Sequence, residues 1–94
     1  MYSLLLETTD DINRALAKRL QNIRKRRKIT QKQLAERSNV SYATLRKFEK
    51  TGEISLRSLT KIVTELGLVN EIKELFTQPV YLTIDEVIRD EKIT

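Results

Sequence analysis

The amino-acid sequence predicts a single small domain that is all-α. Its 94 residues are enough for one modest core, and 39% hydrophobic with 33% charged residues is the balance of a folded domain. Residues that break helices are scarce, since glycine occurs only at Gly52 and Gly67 and proline only at Pro79. Between these breakers, apolar residues recur every three or four positions, which is the spacing of amphipathic helices.

The first predicted helix opens near residues 9–11 and runs to about Arg27. The short acceptor side chains at its start suit the unpaired N–H groups of a helix N-terminus. Several of its exposed positions are basic. Its apolar residues fall on one face, which we expect to be buried: Ile12, Leu16, Leu20 and Ile23.

The second predicted helix is short and starts with a capping box. Thr30 and Gln33 have the spacing at which a hydroxyl and an amide side chain cap a helix N-terminus reciprocally. The helix should therefore begin at Gln31, and it must end near Ser38. The residues that it buries are Leu34 and Ala35.

A very tight turn joins the second helix to the third. Only Asn39 and Val40 precede Ser41, which is the next N-cap. A turn this short needs one residue at positive φ, and Asn tolerates that conformation better than any other non-glycine type. The third helix covers residues 42–50, and Gly52 supplies its left-handed C-terminal stop. We expect its buried residues to be Leu45 and Phe48.

Two further helices complete the predicted bundle of five. Ser55 caps the fourth helix, and its apolar stripe, which closes at Gly67, consists of Leu56, Leu59, Ile62, Val63 and Leu66. The fifth helix covers residues 69–76, ends before Pro79, and places three residues inward: Ile72, Leu75 and Phe76.

The end of the chain allows two interpretations. Val80, Leu82 and Ile84 alternate with polar residues as in a short strand, whereas Thr83 and Glu86 form another capping box that would open a helix through residues 87–88. We therefore expect a short C-terminal extension that is a strand, a helix or both. The domain plan is an N-terminal segment of residues 1–9, a helical domain of residues 10–76 and an extension of residues 77–94.

The composition excludes several kinds of chemistry. The chain has no His and no Cys, which rules out zinc fingers, thiol nucleophiles, Ser-His-Asp triads and disulfide frameworks. A carboxylate mechanism would have to use Glu49 or the neighbours Asp85 and Glu86, and no second convergent carboxylate or phosphate loop accompanies them. We expect no enzyme, cofactor or metal ion. The longest apolar stretch, residues 4–6, is far too short for a membrane span, so we expect a cytoplasmic protein.

Charge is concentrated in the middle of the chain. Residues 14–61 carry 15 basic and three acidic side chains, a net charge of +12, while the remainder carries −7. A block this positive favours a polyanion such as nucleic acid, because each Lys or Arg set against a phosphate releases condensed counterions. A merely solvated basic surface is the alternative, and the position of these residues on the helices has to decide.

The third helix is the test of a DNA-binding role. With its buried residues turned to the core, the opposite side carries Ala43, Arg46, Lys47 and Lys50, with Tyr42 at the N-terminal end. That side has no acids. Two short helices joined by a tight turn are the geometry of a helix-turn-helix reader, whose second helix enters the major groove. An ordinary solvated helix surface would be the better interpretation of this helix alone, and the preceding turn and helix reverse that preference.

These residues resemble the XRE family of phage-repressor-like helix-turn-helix regulators. The resemblance rests on the run T-Q-x-x-L-A within residues 30–41, on the β-branched residue before the Ser cap, and on the F-E-x-x-G pattern at residues 48–52. Asn39 stands where the family commonly has Gly, with the same conformational demand. The resemblance covers residues 16–68 and implies a lambda-repressor-like bundle of five helices that binds DNA as a dimeric repressor of a palindromic operator.

The resemblance also implies roles for single residues. Those expected to face DNA bases are Tyr42, Ala43, Arg46 and Lys47. Those expected to meet phosphates are Gln31 and Ser41, to which the basic character of their positions adds Lys50, Arg27 and Lys28. In similar repressors an Arg of the first helix pairs with a Glu late in the third, and Arg24 and Glu49 occupy the matching positions here. The alternative for that pair is two solvated side chains.

A narrower resemblance covers residues 40–56, 66–68 and 75–76. This stretch is similar to the HipB-type subgroup, whose members pair with HipA-like serine/threonine kinases in toxin–antitoxin modules. The resemblance implies an antitoxin that represses its own operon and also binds a kinase toxin.

The segment after Gly67 is the expected dimer contact. It is more acidic than the centre, so it should turn away from DNA, and it has more apolar residues than a core of this size needs. The residues expected to contact a second copy or a partner are Ile72, Leu75, Phe76, Val80, Leu82 and Ile84, with any kinase on the acidic surface. The competing hypothesis is an interaction module that neutralises a partner protein without reading DNA, and acids on the third helix would have favoured it.

Overall fold

The computed structural model describes residues 6–79, and this part of the chain is all-helical, without strands. Its five helices are α1 (Thr9–Arg26), α2 (Gln31–Ser38), α3 (Tyr42–Thr51), α4 (Leu56–Glu65) and α5 (Val69–Lys73). The predicted all-α class and helix order are confirmed. The strand or helix expected after Pro79 lies outside the described residues. No helix among residues 6–79 is long and apolar enough to span a membrane.

Side-chain caps begin four of the five helices. The predicted capping box of α2 is present, and Ser41 and Ser55 cap α3 and α4 as expected. Helix α1 also has a capping box, which involves Thr8 and Asp11, so its N-cap lies just before the predicted start. The backbone N–H of Thr8 is the main cause that holds the pKa of the Asp11 carboxyl below its ordinary value.

The turn between α2 and α3 has the predicted conformation. Asn39 adopts φ 58° and ψ 41°, the left-handed region, and ends α2. The chain then turns at once, because the N–H of Val40 donates to the carbonyl of Ala35 at 3.0 Å. Two residues thus separate α2 from the N-cap of α3, and the two helices pack closely against each other.

The core lies where α1, α2, α3 and α4 meet. Its largest fully buried side chains are Leu34, Leu45, Phe48, Ile62 and Leu66, all of which the sequence places inward. The remaining buried apolar residues come from α1, α2, α4 and the turn before α3: Ala17, Leu20, Ala35, Val40 and Val63.

The buried face of α1 differs from the predicted one. Ile12 is 56% exposed and Leu16 is also exposed, whereas Ala17 is fully buried. The cause is the close approach of α1 to the end of α3, where a Cβ on Gly52 would stand 2.7 Å from the carbonyl carbon of Asn13. This contact turns the side of α1 that carries Asn13 and Ala17 toward α3, and it leaves Ile12 at the surface.

The predicted burial in α4 and α5 is also wrong at three positions. Leu56, the first residue of α4, is exposed, although the rest of its predicted stripe is buried or half-buried. Helix α5 ends at Lys73, three residues earlier than predicted. Phe76 takes φ 61° and is 97% exposed, and Leu75 is exposed as well. The chain thus leaves the helical path before these two side chains can reach the core.

Candidate nucleic-acid interface

Helix α3 presents one side to the core and the other to solvent. Leu45 and Phe48 are each 1% exposed, so the helix cannot rotate without uncovering them. The opposite side is exposed and carries the residues that the sequence assigns to base contacts together with one assigned to a phosphate: Tyr42, Ala43, Arg46, Lys47 and Lys50. Helix α3 therefore brings these five predicted residues together on one side, and none of its own exposed residues on that side is acidic.

The start of α3 is ordered by Ser41. Its Oγ accepts a hydrogen bond from the Thr44 backbone N–H at 3.0 Å and lies 2.7 Å from Thr44 Oγ1. This cap satisfies one of the free N–H groups in the first turn and leaves others open toward solvent. Free N–H groups at a helix start are suited to an anion such as a phosphate.

Glu49 lies on the inner side of α3 and collects hydrogen bonds from two other helices. Arg24 of α1 donates from Nε to Glu49 Oε2 at 2.7 Å and from Nη2 to Oε1 at 2.9 Å. Its remaining nitrogen, Nη1, donates to the carbonyl of Ile29 at 2.8 Å. The structure thus brings together the two predicted partners as a bidentate pair, the strongest geometry available to an Arg and a carboxylate.

Two glutamines complete the surroundings of Glu49, and sequence reasoning missed both as its partners. Gln31 Nε2 donates to Glu49 Oε1 at 2.8 Å, and Gln21 Nε2 donates to the same oxygen at 3.2 Å. Gln21 lies three residues before Arg24, which is a helical neighbour position, and this spacing was the available signal. Within residues 6–79 every buried side-chain nitrogen or oxygen has a partner, so the cluster is fully satisfied.

The charge of Glu49 follows from these contacts. Burial by itself raises the pKa of the Glu49 carboxyl, and this is the largest single influence. The hydrogen bonds from Arg24, Gln31 and Gln21, together with the Arg24 charge, outweigh it and hold the pKa below its ordinary value. Glu49 is therefore a carboxylate at neutral pH, and the cluster joins α1, α2 and α3 as a charged unit.

The Gln31 side chain is held in place by Glu49 and still has a hydrogen-bond donor to spare. Its amide nitrogen has two hydrogens, of which one points to Glu49. The second hydrogen remains available for a phosphate oxygen. The bond to Glu49 therefore orients the side chain that the sequence assigns to a phosphate, at the first residue of α2.

Two other residues predicted to contact phosphates, Arg27 and Lys28, lie just after the end of α1. Arg27 donates from Nη1 to the carbonyl oxygen of Leu66, at the C-terminal end of α4. A cation suits the unpaired carbonyls of a helix end, so Arg27 has a structural partner away from α3. Lys28 is exposed and takes φ 56° in the turn after α1. The structure therefore does not gather Arg27 with the residues of α3.

Lys47 has a weak partner on the exposed side of α3. Its Nζ lies 3.5 Å from Glu53 Oε1, and both side chains are more than half exposed. An exposed pair of this kind contributes roughly 0–1 kcal/mol and is screened by salt. Lys47 can thus exchange Glu53 for another anion at little cost.

One basic residue of this surface was not predicted from the sequence. Lys32, the second residue of α2, has its Nζ over the Tyr42 ring at 5.6 Å from the centroid. Arg46 Cζ lies over the same ring at 5.8 Å. Tyr42 thereby links a cation of α2 to a cation of α3, and the spacing along the sequence gave no signal for the contact between helices.

Comparison with known proteins identifies the family to which these helices correspond. A family model described as helix-turn-helix, of the XRE type, matches residues 20–71, which is more than half of the chain. The match begins in α1 and ends in α5, so it includes Glu49, Gln31 and the exposed side of α3. Neither a curated protein nor a solved structure matches the chain significantly.

Proposed function

This chain belongs to the XRE type of helix-turn-helix DNA-binding transcription regulators, and we propose that it acts as a dimeric repressor on a palindromic operator. One observation carries the proposal. The exposed side of α3 is basic and free of acids while Glu49 is drawn inward by Arg24, so the helix is rigidly held with the side suited to DNA facing outward.

The proposed DNA contacts are of two kinds. Contacts with base edges determine the sequence preference, and contacts with phosphates position the protein on the duplex. Tyr42, Ala43, Arg46 and Lys47 lie on the exposed side of α3 and are proposed to face base edges. Arg46 and Lys47 can donate to guanine, and Ala43 can pack against a thymine methyl group. The proposed phosphate contacts are Gln31, Ser41, Lys50 and Lys28, and Arg27 contributes through its charge near the end of α1.

Support for the dimer comes from a second exposed surface. An apolar groove of about 220 Å³ lies between α1, α4 and α5. Most of its lining is aliphatic: Leu16, Leu20, Leu56, Leu59, Val63, Leu68, Ile72 and Leu75. We call this groove, together with the exposed ring of Phe76, the apolar face. Exposed apolar side chains that lie together are typical of an interface, and we propose that Ile72, Leu75 and Phe76 contact a second copy there.

The proposed dimer also uses the extension. Val80, Leu82 and Ile84 follow the apolar face in the chain and are proposed to add to the same contact.

The double substitution Leu75→Ser and Phe76→Ser should weaken dimerisation and affinity for a palindrome while leaving helicity intact. Analytical ultracentrifugation measures the first effect. Leu6→Ser, at another exposed leucine, is the matched control. A chain cut after Gln78 separates the extension from α5, and an equally tight dimer would remove the extension from the contact.

The resemblance of residues 40–56 to HipB-type regulators extends the proposal to an antitoxin. In this role the protein binds a HipA-like kinase through its acidic C-terminal surface and represses its own operon. The family model spans the whole XRE type and does not separate this subgroup. A kinase-like reading frame beside the gene, and co-purification of the two products, would support the antitoxin. An unrelated neighbour that does not bind would leave a repressor only.

Selection from a pool of random duplexes, followed by footprinting, tests the DNA-binding proposal. We expect a palindrome whose half-sites lie about one helical turn, roughly 34 Å, apart. Lys47→Ala should change the preference at one base position, whereas Gln31→Ala should weaken all sites alike. Protection of a single half-site would contradict the dimer. Absence of any sequence preference would favour a module that binds proteins instead of reading DNA.

A further inference from the structure

The ring of Tyr42 has contacts that a role in base recognition alone does not explain. Its ring has two cations over it, Lys32 from α2 and Arg46 from α3, at 5.6 and 5.8 Å from the centroid. We propose that Tyr42 is a positioning residue which holds both cations toward DNA, and that Lys32 is a phosphate contact of this interface. The inference rests on the proposed DNA-binding function and refines the assignment of its contacts.

The ring is well placed for this task. Tyr42 is the first residue of α3, and Arg46 lies one helical turn later on the same side. Lys32 comes from the first turn of α2, so the ring bridges the two helices of the helix-turn-helix. A tyrosine face attracts cations through its quadrupole at distances up to about 6 Å, and both contacts lie within that limit.

The surrounding charge explains why the arrangement points to a polyanion. Within residues 6–79 neither Lys32 nor Arg46 has a carboxylate within 4.0 Å, since the two ion pairs in this range join other residues. The face of the Tyr42 ring attracts both cations but carries no net charge, so their two positive charges are not neutralised there. A chain of phosphates supplies the missing negative charge.

Holding these side chains in advance favours binding. Lys and Arg lose considerable rotamer freedom when they are fixed at an interface, and a side chain that is already oriented loses less. The ring leaves the hydrogen-bonding groups of Arg46 free for a bidentate contact with guanine, which the Tyr42 hydroxyl cannot make. Lys32, as a point charge beside Gln31 at the start of α2, suits a phosphate.

The experiment compares Lys32→Ala, Tyr42→Leu, Tyr42→Phe and the Lys32→Ala/Tyr42→Leu double variant of the full chain. Affinity is measured over a range of salt concentrations, both for the duplex selected with the wild type and for one mixed-sequence duplex. Lys61→Ala is the control for charge, because Lys61 lies beside Arg37 and Ser38 at the other end of α2. Circular dichroism checks that each variant is folded.

We expect Lys32→Ala to weaken both duplexes and to reduce the slope of log affinity against log salt by about 0.9, the value for one lost phosphate contact. Tyr42→Leu should weaken the selected duplex about three- to tenfold, which is the range for one or two cation–π contacts. Tyr42→Phe keeps the ring and should stay within about twofold of wild type. In the Tyr42→Leu background, Lys32→Ala should have a smaller effect than in the wild type.

Several results would overturn the inference. An unchanged salt slope for Lys32→Ala, or a change equal to that of Lys61→Ala, would remove Lys32 from the interface. If Tyr42→Phe were as damaging as Tyr42→Leu, the hydroxyl would be the functional group and Tyr42 a direct reader. Strict additivity of the double variant would disprove positioning of Lys32. The mixed-sequence duplex keeps the slope readable even if the wild type shows no sequence preference, a result that would instead contradict the proposed function.

Discussion

Glu49 and Glu53 lie four residues apart, yet Glu49 pairs with a buried cation and Glu53 pairs with an exposed one. The Arg24–Glu49 pair is 2.7 Å long, and its side chains are only 9% and 4% exposed. The Lys47–Glu53 pair is 3.5 Å long, and its side chains are 63% and 68% exposed. The inner pair joins α1 to α3 and cannot be exchanged for water, whereas the outer pair can give way to another anion.

The comparison shows how one short helix serves two purposes. The inner side of α3 carries its charge in a satisfied cluster, which keeps the helix at a fixed orientation in the bundle. On the outer side Lys47 is only loosely paired with Glu53, so its charge can be given to another anion, as the proposed DNA contacts require. Substitutions on each side of α3 should therefore differ in effect, with large losses of stability on the inner side and small ones on the outer side.

Breaking the inner pair should have the largest effect on stability. Arg24→Ala or Glu49→Ala should each lower the free energy of unfolding by about 3–5 kcal/mol, because each leaves a buried charge without its partner. The double substitution should lower it by less than the sum. Urea unfolding of the four proteins gives the coupling energy. A coupling energy near zero would mean that both side chains are effectively solvated.

The contact between α1 and the end of α3 should be almost as sensitive. Gly52 has φ 84°, and an added Cβ would meet the backbone of Asn13 at 2.7 Å and that of Arg14 at 2.9 Å. Gly52→Ala should therefore lower the free energy of unfolding by about 2–4 kcal/mol. Gly67→Ala is the matched control, because Gly67 has φ 74° and open space around the position of a Cβ. Its effect should be about 1 kcal/mol, from the backbone alone.

Equal effects at the two glycines would contradict the close approach of α1. They would show that Gly52 serves only to end α3, as the sequence alone indicates.

Acid should weaken the inner pair selectively. The folded protein holds the pKa of the Glu49 carboxyl below its ordinary value, so the stabilisation is fully present at pH values above that ordinary value. As the pH falls through the lowered pKa, the carboxylate takes up a proton and the stabilisation is lost. The difference in unfolding free energy between wild type and Glu49→Gln should therefore be largest at neutral pH and shrink below about pH 4. A difference that is independent of pH would contradict a charged Glu49.

Breaking the outer pair should have the smallest effect. Glu53→Gln should change the free energy of unfolding by less than about 0.5 kcal/mol, because an exposed pair contributes little. Affinity for DNA at low salt should rise about twofold, since Lys47 no longer has to leave a carboxylate. Urea unfolding and a binding titration measure the two quantities. A large loss of stability would show that the outer pair is structural after all.

The local elements of this fold were predictable from neighbouring residues. The capping box of Thr30 and Gln33, the left-handed Asn39 and the caps Ser41 and Ser55 all occur as predicted. Each depends on a hydrogen bond or a backbone preference that spans at most four residues, so the sequence nearby contains the whole cause.

The orientation of helices was predictable only in part. Helix α3 has two large apolar residues that fit one buried side, and the prediction was correct. Helix α1 has more apolar positions than its neighbours can cover, so its pattern allowed two rotations about the helix axis. Small residues decided between these two rotations, because Ala17 and Gly52 let α1 and α3 approach closely. Ile12 was left exposed as a result.

In the candidate interface as well, the features within one helix were predictable from the sequence, whereas the contacts between helices were not. Residues 42–50 could be assigned to an inner and an outer side from helical periodicity, because the spacing of Leu45 and Phe48 determines both. The meeting of Gln31 with Glu49 and of Lys32 with Tyr42 depends on the angle between α2 and α3. That angle is set by packing in the common core, to which residues far apart in the chain contribute. It therefore cannot be predicted from a pattern of neighbouring residues.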